Sequence, residues 1–279
     1  MNKKAATPIL IFLLGIITGA IYYFSMANDY EGEKLLLKNG TILGLPLYTF
    51  IVLFFVLCAI AFCAYFAFNT KEIVPKNYLE LCKSNSIYVP VLNYISIFAL
   101  ALIVFYEILN FTETGLYSSL ILGVFTLFVV LILFFITTLV NKGKYNETYG
   151  MLTAVPVLWA CFWLIIVFKD YTSDPIRMHY VFYLFAVVCT ILALFYIAGF
   201  AYNVIKVKFT LFFTLCAMFL CTVTATALGA YFLSHQALPF RYTPSAAFFC
   251  LFGGVYFLIK SVTMLFAPIK PAEIQNPFE

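Results

Sequence analysis

The chain alternates between long apolar runs and short polar segments. The apolar runs are about 20 residues long, which is the length of helix that crosses the hydrocarbon core of a bilayer. They cover residues 8–24, 45–68, 86–109, 115–140, 150–168, 179–202, 209–233 and 242–260. This pattern predicts an all-α bundle of about eight transmembrane spans, with residues 1–279 forming one membrane domain. The charged residues of the segment 70–85 are mixed in sign, which predicts a short amphipathic segment on the membrane surface.

The composition and the placement of the charged residues argue against a soluble protein and against a nucleic-acid-binding protein. Hydrophobic residues make up 65% of the chain, charged residues 10%, and the mean hydropathy is +1.03. Soluble domains carry about 25% charged residues, so this chain lacks the side chains for a water-facing surface. Its basic residues are scattered and form no basic block with interleaved aromatics, which argues against a nucleic acid as partner. The chain is therefore predicted to lie in a lipid bilayer.

The distribution of Lys and Arg predicts the orientation. Of these 16 residues, 11 lie on the side that holds both termini and 5 on the other side. Because positively charged loops stay in the cytoplasm, both termini are predicted to be cytoplasmic. The short loops suggest a multi-pass protein of a bacterial plasma membrane. One alternative concerns Ser25–Ala27, which fits a signal-peptidase site that would remove the first span.

Similar span ends suggest an internal duplication. Spans two and six end in similar sequences, at Asn69 and Asn203, with identical residues at three earlier aligned positions. Residues 1–141 and 142–279 would then form two parallel four-helix repeats, related by an axis along the membrane normal. Chance similarity is the alternative, since the chain is rich in Phe, Ala and Leu.

Span three carries a broken polar stripe and is predicted to organise the bundle. Its polar residues recur at helical spacing on one face, interrupted by Leu100 and Ile103; they are Ser86, Asn93, Ser96 and Glu107. Polar side chains in a bilayer must face protein or water. We therefore expect this face to turn toward span seven, whose own polar stripe includes Thr214 and Thr224.

Small residues recur on other helix faces and predict close packing. Gly15 and Gly19 form a GxxxG pair in span one, and such spacing lets two backbones approach closely. Span seven carries a similar stripe of Ala217, Cys221, Ala225 and Gly229, and span eight one of Ala246, Cys250 and Gly254. We expect Ala225 and Gly229 to contact a neighbouring helix at close range.

Three side chains have two interpretations each. Asn93 either joins two helices by a hydrogen bond or contacts a ligand. Trp159 either walls a pocket or fills space between helices. Glu107 is either an interfacial, solvated carboxylate or a vestibule residue paired with Arg177 or Arg241, each at the outer start of a span. A vestibule would require a cavity of about 300 Å³ or more, open to one side.

No sequence pattern indicates catalysis or a cofactor. The chain lacks the HExxH, GxSxG and Walker patterns, and its eight cysteines form no CxxC pair. Its two histidines have no third ligand nearby in sequence, so no metal site is predicted. We therefore expect a protein that is not an enzyme and binds no cofactor.

Two functions of different classes compete. The first is a small-molecule permease or a channel-like subunit with its pathway between spans three and seven. The alternative is a non-transporting anchor or sensor component of a larger complex, bound to membrane or soluble protein partners, in which the small-residue stripes are packing faces. A lipid-modifying enzyme is a third class, and no motif supports it.

Overall fold

The computed structural model describes residues 6–28, 30–31, 36–37, 41–42, 45–70, 75, 77–82, 88–171, 180–235, 238 and 242–266. Within these residues, eight helices are long and apolar enough to cross a membrane, which confirms the predicted bundle. They are α1 (Ala6–Asn28), α2 (Leu47–Asn69), α4 (Tyr88–Thr114), α5 (Tyr117–Asn141), α6 (Val155–Tyr171), α7 (Val181–Gly199), α8 (Val207–His235) and α9 (Pro244–Phe266). Short 3-10 segments precede α6 (Glu147–Ala154) and follow α7 (Phe200–Tyr202).

The connections hold a little further structure. A short helix, α3 (Tyr78–Cys82), occupies the segment predicted to be amphipathic. Its Tyr78, Leu81 and Cys82 are buried, so it packs against the bundle by one face. Between α1 and α2, two short antiparallel pairs form: β1 (Tyr30–Glu31) with β2 (Leu36–Leu37), and β3 (Thr41–Ile42) with β4 (Leu45–Pro46).

The central helix is α8, not the predicted span three. In its most apolar window 78% of residues are buried, and α9 follows with 67%, whereas the corresponding window of α4 reaches 39%. The main neighbours of α8 are α1, α2, α7 and α9. A helix that is apolar on all sides is expected to be buried. The small Thr, Ala and Cys side chains of α8 let neighbours approach it on several faces.

Glycines bring α1 against α8, as the GxxxG pair predicted. A methyl group added at Gly15 would lie 3.0 Å from Thr222 Cβ. At Gly19 it would lie 2.7 Å from both Thr226 Cβ and the carbonyl oxygen of Val223. Real Cβ atoms essentially never approach another atom to 2.7 Å, so position 19 needs glycine for the observed helix spacing, whereas a methyl group at Gly15 would be tight.

The predicted close contact of Gly229 is wrong. A methyl group added there would meet no atom within 4 Å. The close approaches to α8 occur earlier along the helix, where Gly253 of α9 faces Cys221 and Gly254 faces Thr222. Thr222 therefore lies between α1 and α9, and Gly229 lies beyond this crossing.

Helix neighbours repeat only in part between the two halves of the chain: α4 packs on α5 as α8 packs on α9, and α1 on α2 as α6 on α7. The central helix α8 packs extensively on α7, α1 and α9, whereas its counterpart under the duplication, α4, packs mainly on α5 and α9. The duplication and the orientation of the termini stay predictions.

Candidate functional site

The polar face of α4 turns toward other helices than predicted. Its extensive contacts are with α5 and α9, and α9 separates it from most of α8. Asn93, Ser96 and Glu107 are all buried, with exposed fractions of 3%, 0% and 5%. The sequence correctly placed these residues on an inward face. The expected neighbour was wrong, because α8 is already surrounded by α1, α2, α7 and α9.

Glu107 is enclosed near one end of the α4–α9 pair. Ser245, in the first turn of α9, donates a hydrogen bond of 2.5 Å to Glu107 Oε1 and is itself buried. Across from this carboxylate, Gly123 of α5 lets the Glu107 side chain pass, since a methyl group there would lie 3.3 Å from Glu107 Cβ. The side chain is only 5% exposed, with Ser245 among its partners; its interfacial and vestibule interpretations stay predictions.

Arg177 and Arg241, the predicted partners of Glu107, lie outside the described residues. The sequence did not identify Ser245. Its position at the second residue of α9 becomes meaningful only when α4 and α9 are seen to run antiparallel, so that the end of one meets the start of the other.

The hydroxyl groups of the predicted pathway residues bond to their own helices. Ser96 Oγ donates to the Asn93 carbonyl oxygen at 2.7 Å. Thr214 donates to the Thr210 carbonyl oxygen at 2.8 Å, and Thr224 to that of Leu220 at 3.0 Å. Such bonds to the preceding turn satisfy a hydroxyl group without any ligand or water. The polar stripe of α8 thus needs no aqueous pathway to explain it.

Trp159 fills space between three helices. It is fully buried, and its Nε1 donates a hydrogen bond of 2.9 Å to Thr126 Oγ1 of α5. Its ring lies 5.5 Å from those of Trp163 and Phe249. Indole N–H groups usually find a partner when they are buried. The space-filling interpretation of Trp159 fits this packing, and the tryptophan fixes the positions of α5, α6 and α9.

A second polar cluster lies at the other end of the α4–α9 pair. Because α9 continues past Lys260 to Phe266, this lysine lies within the helix and is only 4% exposed. Lys260 Nζ donates to Cys82 Sγ of α3 at 3.2 Å and lies 5.1 Å from the ring centroid of Tyr256. Among the described residues, no carboxylate forms an ion pair with this lysine.

Tyr78 completes the cluster from α3. Its ring stacks on that of Tyr145 at a centroid distance of 4.8 Å. Burial raises the pKa of Tyr78 well above its ordinary value, and the neighbouring Cys82 raises this pKa further. The phenol is therefore neutral at physiological pH and able to donate a hydrogen bond.

A small cavity separates this cluster from α4 and α5. Its volume is about 10 Å³, and its walls include Asn93, Tyr78, Cys82, Asn141, Tyr256 and Lys260. Asn93 Oδ1 is buried and has no hydrogen-bond partner in the described part of the chain. A buried amide oxygen without a partner costs about 1–3 kcal/mol. Asn93 and Lys260 thus border the same small cavity, while the amide oxygen of Asn93 is itself buried.

Sequence reasoning missed Lys260 and Cys82. The signal for Lys260 was present, because the residues after it, Ser261 to Phe266, continue the apolar helical pattern. Cys82 gave no such signal. Only the packing of α3 beneath α9 brings it to the lysine.

Known proteins provide no family for this chain: comparison with family models, with curated proteins and with solved structures finds no match.

Proposed function

We propose that this integral membrane protein is a non-transporting subunit, the anchor or sensor component of a larger membrane complex. One observation carries the proposal. The predicted pathway residues in the described part of the chain have almost no surface that a water molecule can touch; their exposed fractions are 3% or less for Asn93, Ser96, Trp159, Thr214 and Thr224, and 5% for Glu107. Residues that line an open, water-filled pathway would have solvent-exposed surface.

The packing of α8 supports the same role. Glycine contacts join α1 and α9 to it, and the central hydroxyl groups bond to their own helix. Small-residue faces hold helices together in lipid without a hydrophobic driving force. In this proposal the protein catalyses no reaction, lies in a bacterial plasma membrane with cytoplasmic termini, and binds protein partners.

A small-molecule permease is the second candidate, favoured by the Lys260 cluster. Ionisable residues inside membrane helices are often found on substrate or ion pathways. Lys260 and Asn93 line one cavity between α4 and α9. A permease would open this helix pair, and the enclosed arrangement would be its closed state.

Native cysteines allow a direct test in the unmodified chain. Cys221 of α8 and Cys250 of α9 are fully buried within their spans, and Cys221 lies one helical turn before Thr224 of the polar stripe. Vesicles would be treated with a water-soluble, membrane-impermeant thiol reagent, added outside or enclosed inside, and each cysteine would be quantified by mass spectrometry. We expect both thiols to stay unmodified from either side until the protein is denatured.

One variant probes the α4 face itself. Ser96→Cys places a thiol on the predicted pathway, and Lys142→Cys, in the exposed turn after α5, serves as the positive control. Labelling of Lys142→Cys but not of Ser96→Cys supports the non-transporting role. If Ser96→Cys or Cys221 reacts in folded protein, water reaches the middle of the bundle, and the permease is the better assignment.

A further inference from the structure

A thiol and an amine meet where α3 packs against α9. Lys260 Nζ lies 3.2 Å from Cys82 Sγ and donates a hydrogen bond to it. Each of the two residues is only 4% exposed. Buried charges are usually paired with an opposite charge. In the described part of the chain, Lys260 instead has this sulfur and the ring of Tyr256 as its neighbours.

Cys82 differs from the other seven cysteines in its place in the fold. Those seven lie within membrane-spanning helices: Cys58 and Cys63 of α2, Cys161 of α6, Cys189 of α7, Cys216 and Cys221 of α8, and Cys250 of α9. Cys82 is the last residue of α3, a helix of five residues. A helix this short depends on its packing for stability, so α3 separates from α9 more readily than the long spans separate from one another. Such local opening exposes the thiol to a small oxidant.

Oxidation of this thiol leads to a defined product. A peroxide converts the Cys82 thiol into a sulfenic acid: the O–O bond of the peroxide breaks, the sulfur loses two electrons, and one molecule of water is released. A sulfenic acid condenses with an adjacent nitrogen to form a sulfenamide. When α3 packs on α9 again, the nitrogen in contact with this sulfur is Lys260 Nζ.

We infer that Cys82 and Lys260 form a redox-responsive modification site, in which a peroxide leads to a covalent S–N bond between Sγ and Nζ. Nζ attacks Sγ and the S–O bond breaks. The hydroxyl group leaves as water with one proton of the ammonium group, and a second proton goes to the solvent. The product is neutral, so the reaction removes a positive charge from a buried place, where charge is costly. Two equivalents of a thiol reverse the step, which regenerates the Cys82 thiol and the Lys260 amine and forms one disulfide of the reductant.

The S–N bond would attach α3 covalently to α9. In the reduced protein α3 is held by packing, through its buried Tyr78, Leu81 and Cys82, and by the hydrogen bond from Lys260. Oxidation would therefore prevent the local opening that the reduced form permits. This inference goes beyond the proposed function and does not depend on whether the protein transports a solute.

Mass spectrometry of the full-length protein in lipid vesicles tests the inference. The protein is treated with hydrogen peroxide, its remaining thiols are alkylated, and it is digested without reductant. We expect a cross-linked pair of peptides that joins Cys82 to Lys260 and is lighter than the two separate peptides by two hydrogen atoms. Dithiothreitol should separate the pair. Cys58, which is exposed on α2, is the internal control and should form no link to a lysine.

Lys260→Arg is the matched variant. Arginine keeps the positive charge and the N–H donors, but its guanidinium group stays protonated and does not attack sulfur. The sulfenic acid at Cys82 should then persist. Dimedone, which traps sulfenic acids, should label Cys82 several-fold more in this variant than in the wild-type protein. Cys82→Ser should abolish both the link and the label at that position, and the helicity of each variant checks its fold.

Three results would overturn the inference. If Cys82 stays a thiol under peroxide treatment that fully oxidises glutathione, the pair is not a redox site. If Cys82 is oxidised without a link, or if dimedone labels the wild-type protein and Lys260→Arg equally, Lys260 does not capture the sulfur. A link from Cys82 to another residue would show that α3 has a different neighbour. The wild-type digest alone decides the matter if Lys260→Arg does not fold.

Discussion

The contact between α1 and α8 makes the sharpest prediction about stability. Gly19 lies where the helices approach most closely, since an added methyl group would be 2.7 Å from Val223 O and from Thr226 Cβ. Favourable separations between carbon atoms are about 3.5–4.0 Å. Gly19→Ala must therefore push α1 away from α8. Thr226→Ala should not rescue it, because the backbone oxygen and Cβ remain.

The expected cost follows from two opposing effects. Overpacking a well-packed interior costs about 1–3 kcal/mol. Alanine gains about 0.5–1 kcal/mol over glycine within a helix, because it loses less conformational entropy on folding. With both effects at the middle of their ranges, Gly19→Ala should lower the free energy of unfolding by about 1 kcal/mol. Gly15→Ala, with its nearest contact at 3.0 Å, should cost less.

Gly229→Ala is the matched control on the partner helix. Since no atom lies within 4 Å of the added methyl group, only the gain in helix propensity remains. We expect the free energy of unfolding to stay unchanged or to rise by up to about 1 kcal/mol.

The assay is reversible unfolding in mixed detergent micelles, titrated with sodium dodecyl sulfate. Helicity reports on the helices, and the fluorescence of the buried Trp159 and Trp163 reports on packing. The expected order of stability is Gly229→Ala highest, then Gly15→Ala, then Gly19→Ala. If Gly19→Ala is as stable as the wild type, or less affected than Gly229→Ala, the close approach of α1 to α8 is refuted.

Three further predictions address other parts of the molecule. Replacing Trp159 by Phe and Thr126 by Val should give a coupling energy of about 0.6 kcal/mol in a double-mutant cycle, the average for a hydrogen bond between membrane helices; a coupling of zero would contradict the bond of 2.9 Å. Because the pKa of Tyr78 is raised in the folded protein, the unfolded chain loses this proton first as the pH rises. The contribution of the neutral phenol to the stability of the folded protein is therefore complete below about pH 10 and declines as the pH rises further. Tyr78→Phe should show a shallower loss of stability above that pH, and parallel curves would refute this. Reporter fusions at Asn39 and Lys142 should locate to opposite sides of the membrane; the same side for both would refute the predicted topology.

The polar residues of α4 show where sequence reasoning succeeded and where it stopped. Helical spacing placed Asn93, Ser96 and Glu107 on one inward face, because hydrocarbon offers no partner to an amide or a carboxylate. The spacing of polar residues within one helix does not show which helix faces them. Packing decided that Ser245 of α9 lies opposite Glu107, and that Thr214 and Thr224 bond within α8.

The small-residue stripes show a similar limit of prediction from the sequence. Gly15 and Gly19 lie at a close helix crossing, and Gly229 belongs to a similar stripe but lies beyond it. A stripe shows that a close approach is permitted. Where the approach occurs depends on the crossing point of two helices, which is a property of the whole bundle.

The sequence by itself determined the number of spans and the inward direction of their polar residues, because the cost of exposing polar groups to lipid acts locally, on each helix. The tertiary structure alone decided that α8 is central, that Lys260 meets Cys82, and that Asn93 borders a cavity of about 10 Å³. These features depend on which helices become neighbours. In lipid, which helices become neighbours depends on close packing and on a few hydrogen bonds between distant segments, and no local sequence pattern encodes these contacts.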